Sequence, residues 1–219
     1  MGTSARSRAS ATRYGRACRE LGAHSIVRKR AVPTRPATSY TRLMTWYRRA
    51  RIEGGTFFFT VALADRSSGL LVEHIELLRL AYGRVRNRLP FETVAICILP
   101  DHLHAIWTLP NDDLDFSVRW NLIKGGFSRG LPAAPDRSSS KRAKREKGIW
   151  QRRFWEHAIR DENDLVRHID YIHFNPVKHG HVDRVADWRF SSFHRYVASG
   201  DLPVDWGGDI GEITGNFGE

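Results

Sequence analysis

Residues 92–109 read ETVAICILPDHLHAIWTL. Two apolar, β-branched runs flank Pro100-Asp101, a turn dipeptide, so the stretch predicts a hairpin of strands 92–99 and 102–109. Side chains alternate along a strand, which puts His102 and His104 on one face and Leu103 on the other. Two neutral imidazoles about 7 Å apart along a strand can share one divalent cation. As a bare spacing, His-x-His is weak, because paired strand histidines more often have nothing to do with a metal. Asp101 is the nearest carboxylate in sequence and is expected to face away from both rings.

Working outward, Thr56–Ala64 (TFFFTVALA) predicts a strand entered through Gly54-Gly55, and Leu70–Arg88, with apolar residues at 71, 75, 77, 78, 81 and 85, predicts a helix. Phe116–Leu131 predicts a second helix, weakened by Gly125-Gly126, and Pro132–Lys147 a basic surface loop. Ile149–Ile159 (IWQRRFWEHAI) predicts a fourth strand. A further helix begins at the cap Asp161, carries Tyr171 and stops at Asn175-Pro176. The order β-α-β-β-α-β plus a helix predicts an α+β fold, a ferredoxin-like antiparallel sheet with an additional C-terminal helix carrying Tyr171. Asn175 follows Tyr171 by four residues, one turn along the same helix face.

The chain has 219 residues and a net charge of +11. No run approaches the ~18 apolar residues that a membrane span needs. Two cysteines, Cys18 and Cys97, exclude a disulfide scaffold and a cysteine-based zinc module and fit a cytoplasmic setting. Residues 1–43 hold ten Lys or Arg against the single acid Glu20, and residues 119–153 hold eleven against Asp136 and Glu146. Two basic segments on an otherwise acidic body point to a polyanion partner. Residues 1–43 read as a disordered basic extension, or as sequence upstream of a true start at Met44. Residues 44–198 read as the folded domain and 199–219 as an acidic flexible tail.

Taken in order, PDHLHAIWTLP, WQRRFWEH, DYIHFNPVKHG and WRFSSFHRY resemble the REP-associated tyrosine transposases, a branch of the single-tyrosine HUH transposases. The resemblance covers roughly residues 46–197 and includes YRRARIEGGTFFFTV and FSVRWNLIKGGFSR. It implies that His102 and His104 hold a divalent metal, Mg²⁺ or Mn²⁺, with Asn175 as a third ligand, and that Tyr171 is the nucleophile. It further implies cleavage and rejoining of single-stranded DNA beside REP-type hairpins through a 5′-phosphotyrosine. A phenol with a reference pKa near ~10 needs such help to act as a nucleophile at neutral pH.

Charge and aromatic character suggest DNA contacts at Arg48, Arg49 and Arg51, at Arg119, Lys124 and Arg129 along one side of the second helix, and at Trp150, Arg152 and Arg153. The alternatives are a hairpin-binding module without cleavage and a hydrolase in which the histidines activate water. The oligomeric state stays open between monomer and homodimer. His157 is expected to be structural, His168 to be able to reach the Tyr171 face, His173 to point elsewhere, and His179 and His181 to lie at the surface.

Overall fold

The β-branched and aromatic run TFFFTVA forms β1 (Thr56–Ala62), a central strand of the sheet. The computed structural model describes residues 52–208 and 217–218; residues 1–43 lie outside them. Helices α1 (Leu70–Glu73) and α2 (Ile75–Arg88) follow, then the hairpin β2 (Glu92–Ile98) and β3 (His102–Thr108). Next come α3 (Phe116–Arg129), the short α4 (Ser139–Ala143), β4 (Trp155–Ala158) and the long α5 (Glu162–Lys178). A 3₁₀ turn at Val185–Asp187 and α6 (Phe193–Ala198) complete it. The sheet order is β2-β3-β1-β4 with every neighbouring pair antiparallel, the order expected of a ferredoxin-like split βαβ sheet.

Because β1 and β3 are central, both their faces are buried, and they read as near-continuous apolar runs. Phe57, Phe59, Leu103, Ala105 and Trp107 face α2 and α3, where Trp107 stacks on Trp120 with centroids 4.1 Å apart. Phe58 and Ile106 face α5 and the C-terminal segment. On that second face the register sets Thr60 opposite His104 and Ala62 opposite His102, with Phe58 opposite His157 on β4.

Five elements differ from the sequence expectation, one being α4 inside the expected loop 132–147. The helix over 70–88 breaks at His74 (φ −113°, ψ 37°), since the Leu71 N–H is tied to the Pro100 carbonyl in the hairpin turn while α2 lies along the sheet. The fourth strand is only Trp155–Ala158; Ile149, Trp150 and Phe154 turn into the first core cluster instead. α5 runs through Pro176 to Lys178. Proline removes one bond, to the i−4 carbonyl, in the last turn, and the His179 N–H to Asn175 and His181 N–H to Pro176 bonds close the end, with Gly180 at φ 68°. Finally, within the stretch 199–219, Leu202, Trp206 and Phe217 are buried in the second cluster.

Candidate active site

His102 and His104 lie side by side on β3 with ring centroids 4.9 Å apart. Nδ1 of His102 meets Oδ1 of Asp101 at 2.8 Å, and Asp101 Oδ2 pairs with Arg66 Nε at 2.6 Å. A carboxylate only accepts, so Nδ1 carries the hydrogen and, in the neutral ring, the lone pair sits on Nε2. Asp101 therefore does not face away as strand alternation suggests: it sits in the turn before β3, where period two does not apply.

His104 reaches the same state by another route. Its Nδ1 lies 2.9 Å from Thr60 Oγ1, and the Thr60 hydroxyl donates to the Phe217 carbonyl at 2.6 Å. A hydroxyl has one hydrogen, so Thr60 must accept from His104 Nδ1–H, again leaving the lone pair on Nε2. Both imidazoles are thus held in the tautomer that ligates a metal through Nε2, one by a carboxylate and one by a hydroxyl.

α5 brings Tyr171 against this pair, its ring 5.1 Å from that of His104. Asp161 caps the helix by accepting from the Asp164 N–H at 2.9 Å, as the sequence indicates. Tyr171 is only 1% exposed. Phe217 lies flat on it, with centroids 3.7 Å apart and planes at 15°, and Lys178 Nζ donates to its Oη at 3.4 Å while lying 4.9 Å above the ring. Asn175 is fully buried one turn further on. His179 is exposed, as expected, but its ring is also 5.2 Å from that of His102. Sequence reasoning missed Lys178, and the approach of His179 to His102, because it stopped the helix at Asn175-Pro176, and it missed Thr60 because cross-strand register is invisible in a single strand.

A second cluster flanks the site. Among the described residues, His157, Asp164 and His168 are one group close enough to suggest a metal. An imidazole lone pair lies in its ring plane, yet these two rings are stacked 4.7 Å apart with planes at 11°, so their planes do not converge on one ion. The group is an ion-pair network. Burial works against the charge on Asp164, but hydrogen bonds from His157 and Arg160 overcome it and hold the carboxyl far below its ordinary value. Burial lowers His168 to about 4, opposed by its bond to the Asp164 carbonyl. His173 points away, bonding Ser192 Oγ at 3.0 Å.

The basic residues divide. Arg119 is 1% exposed, its guanidinium bound to Asp113 and to the carbonyls of Leu89 and Pro90. Lys124 is 9% exposed and donates to the Gln151 carbonyl at 2.6 Å, and the Trp150 indole N–H donates to the Lys124 carbonyl. These three, expected on a DNA-facing surface, are structural. Steps of five residues turn a helix by roughly 500°, so 119, 124 and 129 cannot share a side. Arg129, Arg152 and Arg153 are exposed, and Arg152 pairs with Glu146 at 3.0 Å. Arg129, Arg145 and Arg152 rim a cleft of about 490 Å³ between α3 and the loop after α4. Arg48, Arg49 and Arg51 lie outside the described residues.

An antiparallel split βαβ sheet carrying a histidine pair opposite a helical tyrosine has the parts of a tyrosine transposase. The comparisons with known proteins agree. A REP-associated tyrosine transposase of Escherichia coli K12 is 48% identical over 171 residues, spanning 78% of this chain and 96% of that one. A Haemophilus influenzae Rd protein named for the same family is 50% identical over 167 residues, spanning 76% and 95%. A solved structure of a REP-associated tyrosine transposase bound to a REP hairpin is 49% identical, covers 78% of this chain and 94% of its own, and gives a TM-score of 0.68. No family model matches the chain. The chain belongs to the REP-associated tyrosine transposases. Tyrosine transposases cleave DNA and transfer strands, and the chain is an enzyme of that class.

Proposed function

We propose that the protein binds REP-type hairpin DNA, as its relative of known structure does, and cleaves the adjoining single strand with Tyr171 as nucleophile. Supporting this reading above all is the meeting of Tyr171 with a histidine pair whose two Nε2 lone pairs are fixed by Asp101 and Thr60. Attack of Tyr171 Oη on the scissile phosphorus forms a P–O bond and breaks the P–O3′ bond. The phenol proton passes to water, the 3′ oxygen takes up a proton, and a 5′-phosphotyrosine remains. The bond energy is kept, so the freed strand can be joined elsewhere.

The donor set fits a divalent cation: two oriented imidazoles, with the amide oxygen of Asn175 one helix turn beyond the nucleophile. His102, His104 and Asn175 would hold it, Mg²⁺ or Mn²⁺, and bound there it would withdraw charge from the scissile phosphate. The exposed Arg129, Arg152 and Arg153 would contact DNA phosphates. Setting is cytoplasmic, with the nucleoid as the place of work.

A denaturing gel tests this. Purified protein is mixed with end-labelled hairpin DNA carrying a single-stranded flank and with Mg²⁺ or Mn²⁺. A protease-sensitive adduct that disappears in Tyr171→Phe and with chelator is the expected result. Cleavage without an adduct would indicate hydrolysis instead, and tight binding without cleavage would leave a hairpin-binding module.

A further inference from the structure

Lys178 is where the helix end matters most. Tyr171 and Lys178 are seven residues apart, which on an α-helix is two turns less roughly 20°, so both sit on one line of α5. This holds only because α5 continues through Pro176 to Lys178. Helical side chains lean toward the N-terminus, so the long lysine stem folds back over the tyrosine. Its ammonium ends 3.4 Å from Oη, although Lys178 is itself exposed. A cation in the last helical turn is also favoured by the helix dipole.

We propose that Lys178 is a catalytic residue that binds the scissile phosphate beside the nucleophile. The inference rests on Tyr171 being that nucleophile. Any phosphorus attacked by Oη carries its two non-bridging oxygens one P–O bond further out. An ammonium already within hydrogen-bonding reach of Oη meets one of those oxygens without moving its helix. Lys178 keeps its proton throughout. Its charge offsets the negative charge that grows on the phosphate as the Tyr171–P bond forms and the P–O3′ bond breaks, and the imidazole pair approaches the same phosphate from the sheet side. The ammonium that stacks on the phenol in the free protein thus becomes the anchor that holds phosphate in line with it.

The test compares wild type, Lys178→Met, Lys178→Arg and Tyr171→Phe in single-turnover adduct formation, with saturating hairpin DNA and Mn²⁺. Hairpin affinity and thermal midpoint are measured alongside. Expected for Lys178→Met is an adduct rate lowered at least about tenfold, toward the hundredfold typical of losing one charge-stabilising donor, with fold and hairpin affinity kept. Lys178→Arg recovers part of the rate. Replacing one non-bridging oxygen of the scissile phosphate by sulfur slows wild type and Lys178→Arg more than Lys178→Met, a response that a purely structural lysine does not give. A Lys178→Met protein that forms adduct at the wild-type rate, while Tyr171→Phe forms none, overturns the proposal. An adduct that persists in Tyr171→Phe overturns the nucleophile reading and this proposal with it.

Discussion

At the scale of single residues, the histidine pair is prepared by what stands behind it. Asp101 can only accept, and Thr60 has only one proton to give, so each fixes its imidazole with Nδ1–H inward and the lone pair on Nε2. Losing such an outer partner typically weakens metal binding 10- to 100-fold. Thr60→Val keeps shape and burial but removes the acceptor for His104. Asp101→Ala releases both His102 and Arg66. We expect either variant to raise the Mn²⁺ concentration for half-maximal adduct formation about tenfold or more while the rate at saturating Mn²⁺ changes less. An unchanged metal requirement in both would show that the tautomers are set some other way. Arg119 makes the complementary point: a charged residue that composition marks as a DNA contact is held inside by Asp113 and three carbonyls. Charge counted along a sequence says nothing of which way a helix is turned.

At the scale of elements, α5, which carries Tyr171, is tied to the sheet through the network of His157, Asp164 and His168. The network carries a pH dependence. In the unfolded chain His168 takes its proton near 6.5, whereas in the fold, where burial disfavours the charged ring, it does so only near 4. Between those values the unfolded state binds the extra proton. Stability is therefore complete above pH 6.5 and falls as pH drops toward 4, by about 3 kcal/mol in all. His157 on β4, and Asp164 and Arg167 near the helix start, act on the same ring, and Arg160 pairs with that Asp164, so a variant is needed to isolate it. Denaturant unfolding of His168→Gln should show a flatter decline from pH 6.5 to 4 than wild type; parallel curves would assign the acid lability elsewhere. The same elements show what a sequence can reveal. The hairpin, the strand order and the cap at Asp161 were legible, because alternation, turn dipeptides and capping residues act locally. His102, His104, Tyr171 and Asn175 were legible as candidates through motif order. The length of α5 was not, since a proline in a last turn costs little once the following N–H groups find carbonyls. With that turn went Lys178 and His179.

At the scale of the whole molecule, the site is completed by residues far apart in sequence. Thr60 on β1 accepts from His104 on β3 and donates to Phe217, 157 positions away, whose ring covers Tyr171 on α5. Phe217 thus does two separable things: its side chain shields the phenol, and its carbonyl orders the Thr60 hydroxyl that fixes His104. A DNA strand gains the covered face of Tyr171 only where that ring moves aside. Phe217→Ala keeps the carbonyl and removes the ring. Adduct formation should accelerate with the half-saturating Mn²⁺ concentration unchanged. Removal of residues 209–219 takes the carbonyl as well. Thr60 is then free to give its proton to His104 Nδ1, which would place the ring hydrogen on Nε2 and block ligation. The truncated chain should therefore also react faster at saturating Mn²⁺ but need more Mn²⁺ to get there. Adduct rates measured across a Mn²⁺ series for the two variants separate these effects. If both respond identically, the carbonyl plays no part in setting His104. If neither differs from wild type, Phe217 leaves Tyr171 before the rate-limiting step, and its stacking belongs to the resting protein alone.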